Sequence, residues 1–264
     1  GDIDYPSVDI AMPDISVIEE HKEKISGLVL THAHEDHIGA VHYLWPYLKC
    51  PVYATPFAAE VLKFKLKENE LDFDEKELKI NIIQIGSNIK INGFQIEIIN
   101  MTHSILEPTG LLIKTKVGSV FHTGDWKIDF SPQIGKAIDE YRLKKLGKKD
   151  IMAMICDSTN IFVKGNAGSE ADVVDKLTEQ IRESEKRVFV TTFASIVMRL
   201  KTIVNIGKTL GRKIAFAGRS MHRMLEIANN CGYLMEMPTI IKEKNIYDKN
   251  KNWRLGSNIP ANTL

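Results

Sequence analysis

The chain of 264 residues has little cysteine. Its three residues, Cys50, Cys156 and Cys231, are far apart and odd in number. That argues against a disulfide framework and gives no Cys-based zinc motif. Each reads as a small buried residue, and a reducing, cytoplasmic setting is expected. No run of about 18 apolar residues occurs, so no transmembrane helix is expected. The start, Gly1-Asp2-Ile3-Asp4, lacks a basic stretch followed by an apolar one, so it is not read as a signal peptide. Charge of one sign is also lacking: 35 Lys and Arg face 34 Asp and Glu, a net charge of +1. There is thus no global steering toward nucleic acid, although a local basic groove is compatible with this balance. Internal repeats and low-complexity tracts are absent. What is left is an ordinary globular composition, 44% hydrophobic and 26% charged, long enough for one large or two modest domains. Beginning with Gly rather than Met, the chain is expected to be processed, tagged or part of a longer product.

Apolar periodicity predicts alternating helices and strands. Residues 15–24 read as a short helix with Ser16 as N-cap and Glu19 completing a capping box. GLVL (27–30) reads as a short buried strand. Residues 38–48 have helical spacing interrupted at Pro46. Residues 51–54 read as a strand, and Pro56 opens a helix through about Lys67. From Leu78 to Phe121, short β-rich pieces separated by turn residues read as an antiparallel meander. After Asp150 the rhythm becomes βαβα: strands IMAMIC, RVFVT and KIAFA alternate with helices over 170–185, 195–210 and 220–230. That rhythm argues a parallel sheet with helical crossovers. The boundary between the two patterns is expected near residues 150–165. Residues 235–264 are polar and lack periodicity.

One segment carries chemistry. Thr31-His32-Ala33-His34-Glu35-Asp36-His37 follows the strand GLVL and precedes a helix. His32 and His34, two apart in extended backbone, project to one side. Three imidazoles and a carboxylate within six residues suit zinc-like cations. HxHxDH arises by chance with a probability on the order of 10⁻³ per chain. Two metals suit the segment better than one, because Asp36 and His37 do not converge easily with His32 and His34 on one tetrahedral ion. Two further donors stand just past strands: His103 in Met101-Thr102-His103-Ser104 and Asp125 in His122-Thr123-Gly124-Asp125-Trp126. Alone, the first reads as a surface histidine and the second as a turn residue. Their shared position past strands of one sheet favours ligation.

HAHEDH, MTHS and HTGDWKID, in that order, resemble the metallo-β-lactamase superfamily. Cys156-Asp157-Ser158-Thr159-Asn160, Gly168-Ser169-Glu170, Thr192-Phe193-Ala194-Ser195 and Gly218-Arg219-Ser220-Met221-His222 resemble its β-CASP nuclease branch, and the whole resembles the bacterial ribonuclease J family over about residues 5–235. The resemblance implies an αββα metallo-β-lactamase sandwich (residues 1–157) with an inserted β-CASP domain on a parallel βαβα sheet (158–264), each partial, with 235–264 atypical. It implies a zinc-dependent phosphodiesterase cutting RNA, as 5′–3′ exonuclease, endonuclease or both, by attack of a hydroxide between two metals. His32, His34 and His103 would hold one zinc, Asp36 and His37 the other, and Asp125 would bridge them. Asp36 would double as proton acceptor. Asp157 matches an acidic motif of the family and is expected at the active-site edge as a second catalytic carboxylate, although it also reads as a cap of the turn that follows it.

Phosphate contacts are expected from Ser195, Arg219 and Ser220, each placed between a strand and a helix N-terminus. His21, His42, His122 and His222 have no such spacing and are read as structural. Trp45, Tyr43, Tyr47, Phe57 and Phe64 are read as packing rather than base-stacking residues. The chain also departs from the family. Leu106 stands where Pro is usual, and Ile196 where Asn is usual. No His follows His222, so the second zinc site is short of one ligand. The family's dimerisation region is absent, as are its first strands. The chain is therefore expected to be the interior of a longer enzyme, binding zinc weakly with poor turnover. A non-nuclease hydrolase of the same superfamily is the competing reading, although such an enzyme needs no βαβα half.

Overall fold

The computed structural model describes residues 11–68, 73–234, 237–238 and 240–241. The first helix, α1 (Ser16–Glu19), is a single turn with no buried residue. Asp14, not Ser16, anchors its start by accepting the Ser16 N–H at 2.9 Å. With no apolar face to bury, the expected helix over 15–24 stops after one turn, and a 3-10 turn over Lys22–Lys24 follows.

Next come β1 (Leu28–Val29), α2 (Glu35–Ile38), α3 (Val41–Leu48), β2 (Val52–Ala54), α4 (Pro56–Glu68) and β3 (Ile80–Ile82). The three strands form a parallel sheet in the order β1-β2-β3, pairing Leu28 with Val52 and Val52 with Ile80. Helix α4 is the crossover that parallel pairing of β2 and β3 requires. Pro46 does not break α3. The Lys49 N–H donates to the Trp45 carbonyl at 2.8 Å beyond it, and burial of Val41, His42 and Trp45 holds the helix. The break falls instead at Gly39-Ala40, between α2 and α3.

The second sheet contains β4 (Asn88–Ile91), β5 (Phe94–Asn100), β6 (Thr109–Lys114) and β7 (Ser119–His122), then, after α5 (Glu140–Leu146), β8 (Ala153–Ile155). Pairing is antiparallel from β4 to β7 and parallel between β7 and β8. Asn92 and Gly93, both at positive φ, make the two-residue turn whose twist suits a hairpin. The stretch expected as one meander is thus divided, because its first piece, β3, is drawn into the parallel sheet by the α4 crossover. IMAMIC forms a strand, but not a buried one. Among the described residues β8 pairs only with β7, and Ala153, Met154 and Ile155 are all exposed.

The remaining elements are α6 (Ala171–Glu183), α7 (Val197–Thr209), β9 (Ile214–Ala215), α8 (Arg219–Asn230) and β10 (Ile240–Ile241). RVFVT forms no strand: among the described residues none of it pairs in a sheet. The expectation of an unpatterned segment from 235 is corrected in one place: Ile240 pairs in parallel with Ile214. The rest of that segment lies outside the described residues.

Packing follows the sequence pattern. The two larger sheets face each other through Val29, Tyr53 and Ile83 against Ile91, Ile96, Ile98 and Leu111. Behind the five-stranded sheet, α5 contributes Leu143 and Leu146 against Ile99, Leu112 and Phe121. An Arg142–Glu97 ion pair fastens that helix to β5. Behind the three-stranded sheet lie α3 and α4. This is a helix–sheet–sheet–helix sandwich. The core behind the three-stranded sheet continues into the second half of the chain: Val61, Leu62 and Leu66 of α4 share one cluster with Ile181, Leu200, Val204 and Leu225.

Candidate metal centre

Because β5 and β7 are both antiparallel to β6, they run the same way and end at the same edge of their sheet. His103 follows the first and Asp125 the second. The extended segment after β1 delivers His32 and His34 to that edge. His34 is also the N-cap residue of α2, whose single turn turns Asp36 and His37 toward the same place. Six residues predicted from the sequence are therefore brought together.

Their donor atoms fall into two groups, each spanning no more than 4.8 Å: His32, His34, His103 and Asp125, then Asp36, His37 and Asp125. Asp125 belongs to both, and its two oxygens divide the work. Oδ2 lies 3.8 Å from Nε2 of His32 and 3.8 Å from Nε2 of His103, while Oδ1 lies 3.3 Å from Nε2 of His37. Nε2 of His103 faces Nδ1 of His34 at 3.1 Å. His37 also meets Asp36 Oδ2 at 3.4 Å.

The residues fit metal ions on their own chemistry. His32 is buried; its Nδ1 meets the Thr31 hydroxyl at 3.1 Å, and its Nε2, turned to the cluster, has no hydrogen-bond partner. A buried nitrogen without a partner costs free energy unless something else takes its lone pair. Burial, then the neighbouring His37, His34 and His103, pushes the His32 imidazole down to about 2. Burial and His34 likewise push His103 down to about 4, against the opposing pull of Asp125 and Asp157. Burial also holds His34 below its ordinary value. All three imidazoles are thus neutral near pH 7, the form that donates to a metal. The mixed nitrogen and oxygen set suits zinc and its first-row neighbours.

The other predicted residues sit differently. Asp157 is outside both donor groups. Its Oδ1 accepts from the Thr159 N–H at 2.9 Å and hydroxyl at 2.7 Å, and those bonds, the hydroxyl's foremost, hold its carboxyl below the usual range. It caps a turn while adding negative field at His103. Arg219 and Ser220 are the exposed first residues of α8, whereas Ser195 lies two residues before α7 rather than in its first turn. The described contacts do not join these three to the cluster. Of the histidines read as structural, His122 accepts the Gly124 N–H at 3.0 Å and so shapes the turn before Asp125. His222 donates to the Phe216 carbonyl at 3.0 Å. Trp45 and Phe57 are buried as expected.

Sequence reasoning missed the threonines. Thr31, Thr102, Thr109 and Thr123 are all buried at this edge. Both the backbone and the hydroxyl of Thr109 donate to the Thr31 carbonyl, at 2.9 and 2.8 Å. The Thr123 hydroxyl donates to the Gly124 carbonyl and accepts the Asp157 N–H. The available signal was the recurrence of Thr beside His32, His103 and the Gly124-Asp125 turn.

Comparison with known proteins agrees with this geometry. Residues 6–144 match the family model described as "Beta-lactamase superfamily domain", and residues 185–254 match "Ribonuclease J, beta-CASP domain". A relative named "Ribonuclease J" from Sinorhizobium meliloti is 40% identical over 233 residues, 88% of this chain and 41% of that protein. One from Helicobacter pylori strain J99 is 39% identical over 227 residues, 86% of this chain and 32% of its own length. The chain thus spans about a third to two fifths of such relatives. A crystal structure of a protein of unknown function from Enterococcus faecalis V583 shares the fold, with a TM-score of 0.56 at 19% identity, covering 81% of this chain and 52% of that one. The chain belongs to the β-lactamase superfamily, and its residues 185–254 carry the likeness to the β-CASP domain of ribonuclease J.

Proposed function

We propose that this chain is the metal-binding part of a ribonuclease that hydrolyses RNA phosphodiester bonds. The observation that supports this best is the split of the Asp125 carboxylate between two donor groups, an arrangement that would suit a pair of cations. When bound, such a pair, which we take to be zinc, lowers the pKa of water and neutralises charge developing on a phosphate. His32, His34 and His103 would hold one ion and Asp36 and His37 the other, with Asp125 placed to reach both. Asp36, three-quarters exposed, lies at the rim where a proton leaving water can be accepted. Ser195, Arg219 and Ser220 are proposed to hold substrate phosphates, and Asp157 to orient its turn beside His103. Both exonucleolytic and endonucleolytic cleavage fit this chemistry, as does a place among the enzymes of RNA processing and decay in the cytoplasm.

The two donor groups are unequal, four against three among the described residues. We therefore expect one tightly held metal per chain, a second held weakly, and slow turnover. The test is metal analysis after dialysis together with degradation of a 5′-monophosphorylated RNA. About one tight zinc per chain and slow, metal-dependent cleavage is the expected result. Two tight zincs with rapid turnover would contradict the impairment, and hydrolysis of an ester or lactam but not RNA would contradict the substrate class.

A further inference from the structure

The loops bearing His103 and Asp125 are fastened to each other by one side chain. The Thr102 hydroxyl donates to the Lys127 carbonyl at 2.5 Å and accepts the Asp129 N–H at 3.2 Å, and the Thr102 carbonyl accepts the Lys127 N–H at 2.7 Å. Thr102 is adjacent to His103 and Lys127 is two residues past Asp125, so three hydrogen bonds fix the spacing of two candidate ligands. The clamp does not stop there. Asp129 is buried, and its Oδ1 accepts the Ser131 N–H at 2.9 Å and the Ser169 hydroxyl at 2.8 Å, while Oδ2 lies 3.6 Å from Lys127 Nζ. Lys127 Nζ also donates to the Gly168 carbonyl at 3.3 Å. Ser169 Oγ accepts the N–H of Ala171, the first residue of α6. The start of α6 is thus tied through Asp129 to the loop that delivers Asp125.

We propose that Thr102 and Asp129 are positioning residues of the metal centre, and that through Ser169 they make the seating of α6 part of the geometry around Asp125. The inference rests on the metal reading above. A hydroxyl fully engaged between two ligand loops acts on the distance between Asp125 and His103, the pair that spans 3.8 Å. A buried carboxylate with a hydroxyl, an N–H and an ammonium around it has lost its water and depends on those partners. Groups that hold ligands in place typically change metal affinity 10- to 100-fold when removed.

The test is cobalt titration of the whole chain, read by the visible absorption of the bound ion and alongside thermal melting. In Thr102→Val, which keeps the shape and removes the hydroxyl, we expect cobalt to bind about 10-fold more weakly with a changed spectrum. Thr102→Ser, which keeps the hydroxyl, should restore affinity and spectrum. Ser169→Ala should weaken binding in the same direction by a smaller factor. A variant that melts earlier but binds cobalt with unchanged affinity and spectrum would show a merely structural clamp and overturn the proposal. If Thr102→Val fails to fold, Ser169→Ala and Asp129→Asn decide, and unchanged cobalt binding in both overturns it. Failure of the parent chain to bind cobalt at all would instead sink the metal reading, and this inference with it.

Discussion

Each ligand-bearing stretch is buttressed by a threonine whose hydroxyl is committed to a nearby backbone or ring atom. Such residues are short, β-branched and rotamer-restricted, so they hold a loop at little entropic cost. The clustered histidines and carboxylates were legible in the sequence, because HxHxDH is improbable and imidazoles two residues apart in extended backbone share a side. The buttresses were not, since a threonine's role depends on the backbone that folding brings to it from 25 or 78 residues away. His42 is the opposite case, a histidine read from the sequence as structural and placed outside both donor groups. It is buried, both ring nitrogens lack hydrogen-bond partners, and it packs beside Tyr43 with Lys65 and Glu35 nearby. Burial, then Lys65, lowers its pKa, with Glu35 opposing. A folded imidazole held below its unfolded value binds fewer protons, so folding stability is full above about pH 6.5 and falls as the pH drops below it. His42→Leu is therefore expected to melt close to the parent at pH 7.5 and above it at pH 5, read from thermal melts of the metal-free protein. Parallel pH profiles would refute this.

At the scale of elements, the strand edges matter more than the strands. The turn at Gly124 brings Asp125 round to the cluster with φ +58, and a Cβ there would sit 2.6 Å from the Thr109 carbonyl and 3.3 Å from the Thr31 side chain. Gly124→Ala thus meets both an unfavourable left-handed backbone and a backbone clash. We expect it to destabilise the fold by about 1–3 kcal/mol and to weaken metal uptake, measured by denaturant unfolding and cobalt titration. Wild-type values in both would show that the turn relaxes freely. Helices α4, α6, α7 and α8 were legible to within two residues because each has a long apolar stripe. The sheet assignments were less so. Ile80–Ile82 and Asn88–Ile91 look alike in sequence, yet one is parallel to β2 and the other antiparallel to β5. A β-rich piece carries no mark of its partner, and RVFVT, β-rich as it is, pairs in no sheet among the described residues.

For the whole molecule, one core serves both halves. Phe64 of α4 lies under the Arg223 guanidinium at 4.0 Å, and Arg223 also pairs with Glu68. The Tyr233 hydroxyl donates to Glu107 Oε1 at 2.6 Å, while Glu107 Oε2 accepts the Phe57 N–H at 2.8 Å. Leu62, fully buried where the halves meet, is expected to cost about 2–5 kcal/mol as Leu62→Ala, lowering a single unfolding transition. Two separate transitions, with only one displaced, would show that the halves unfold independently. The two-part sequence pattern marks a change of rhythm near residues 150–165 and says nothing of what the two parts bury against each other. It could not reveal this sharing, since α4 is apolar on more than one face and periodicity alone does not say what covers the second.

That second face of α4 also sets a schedule for synthesis. Residues 56–68 leave the ribosome about 150 residues ahead of α8, over 219–230. At about 5–20 residues per second of synthesis the interval is roughly 8–30 s. During it Phe57, Val61 and Leu62 have no α8 to cover them, so this face of α4 stays open to solvent or to other apolar surfaces until α8 arrives.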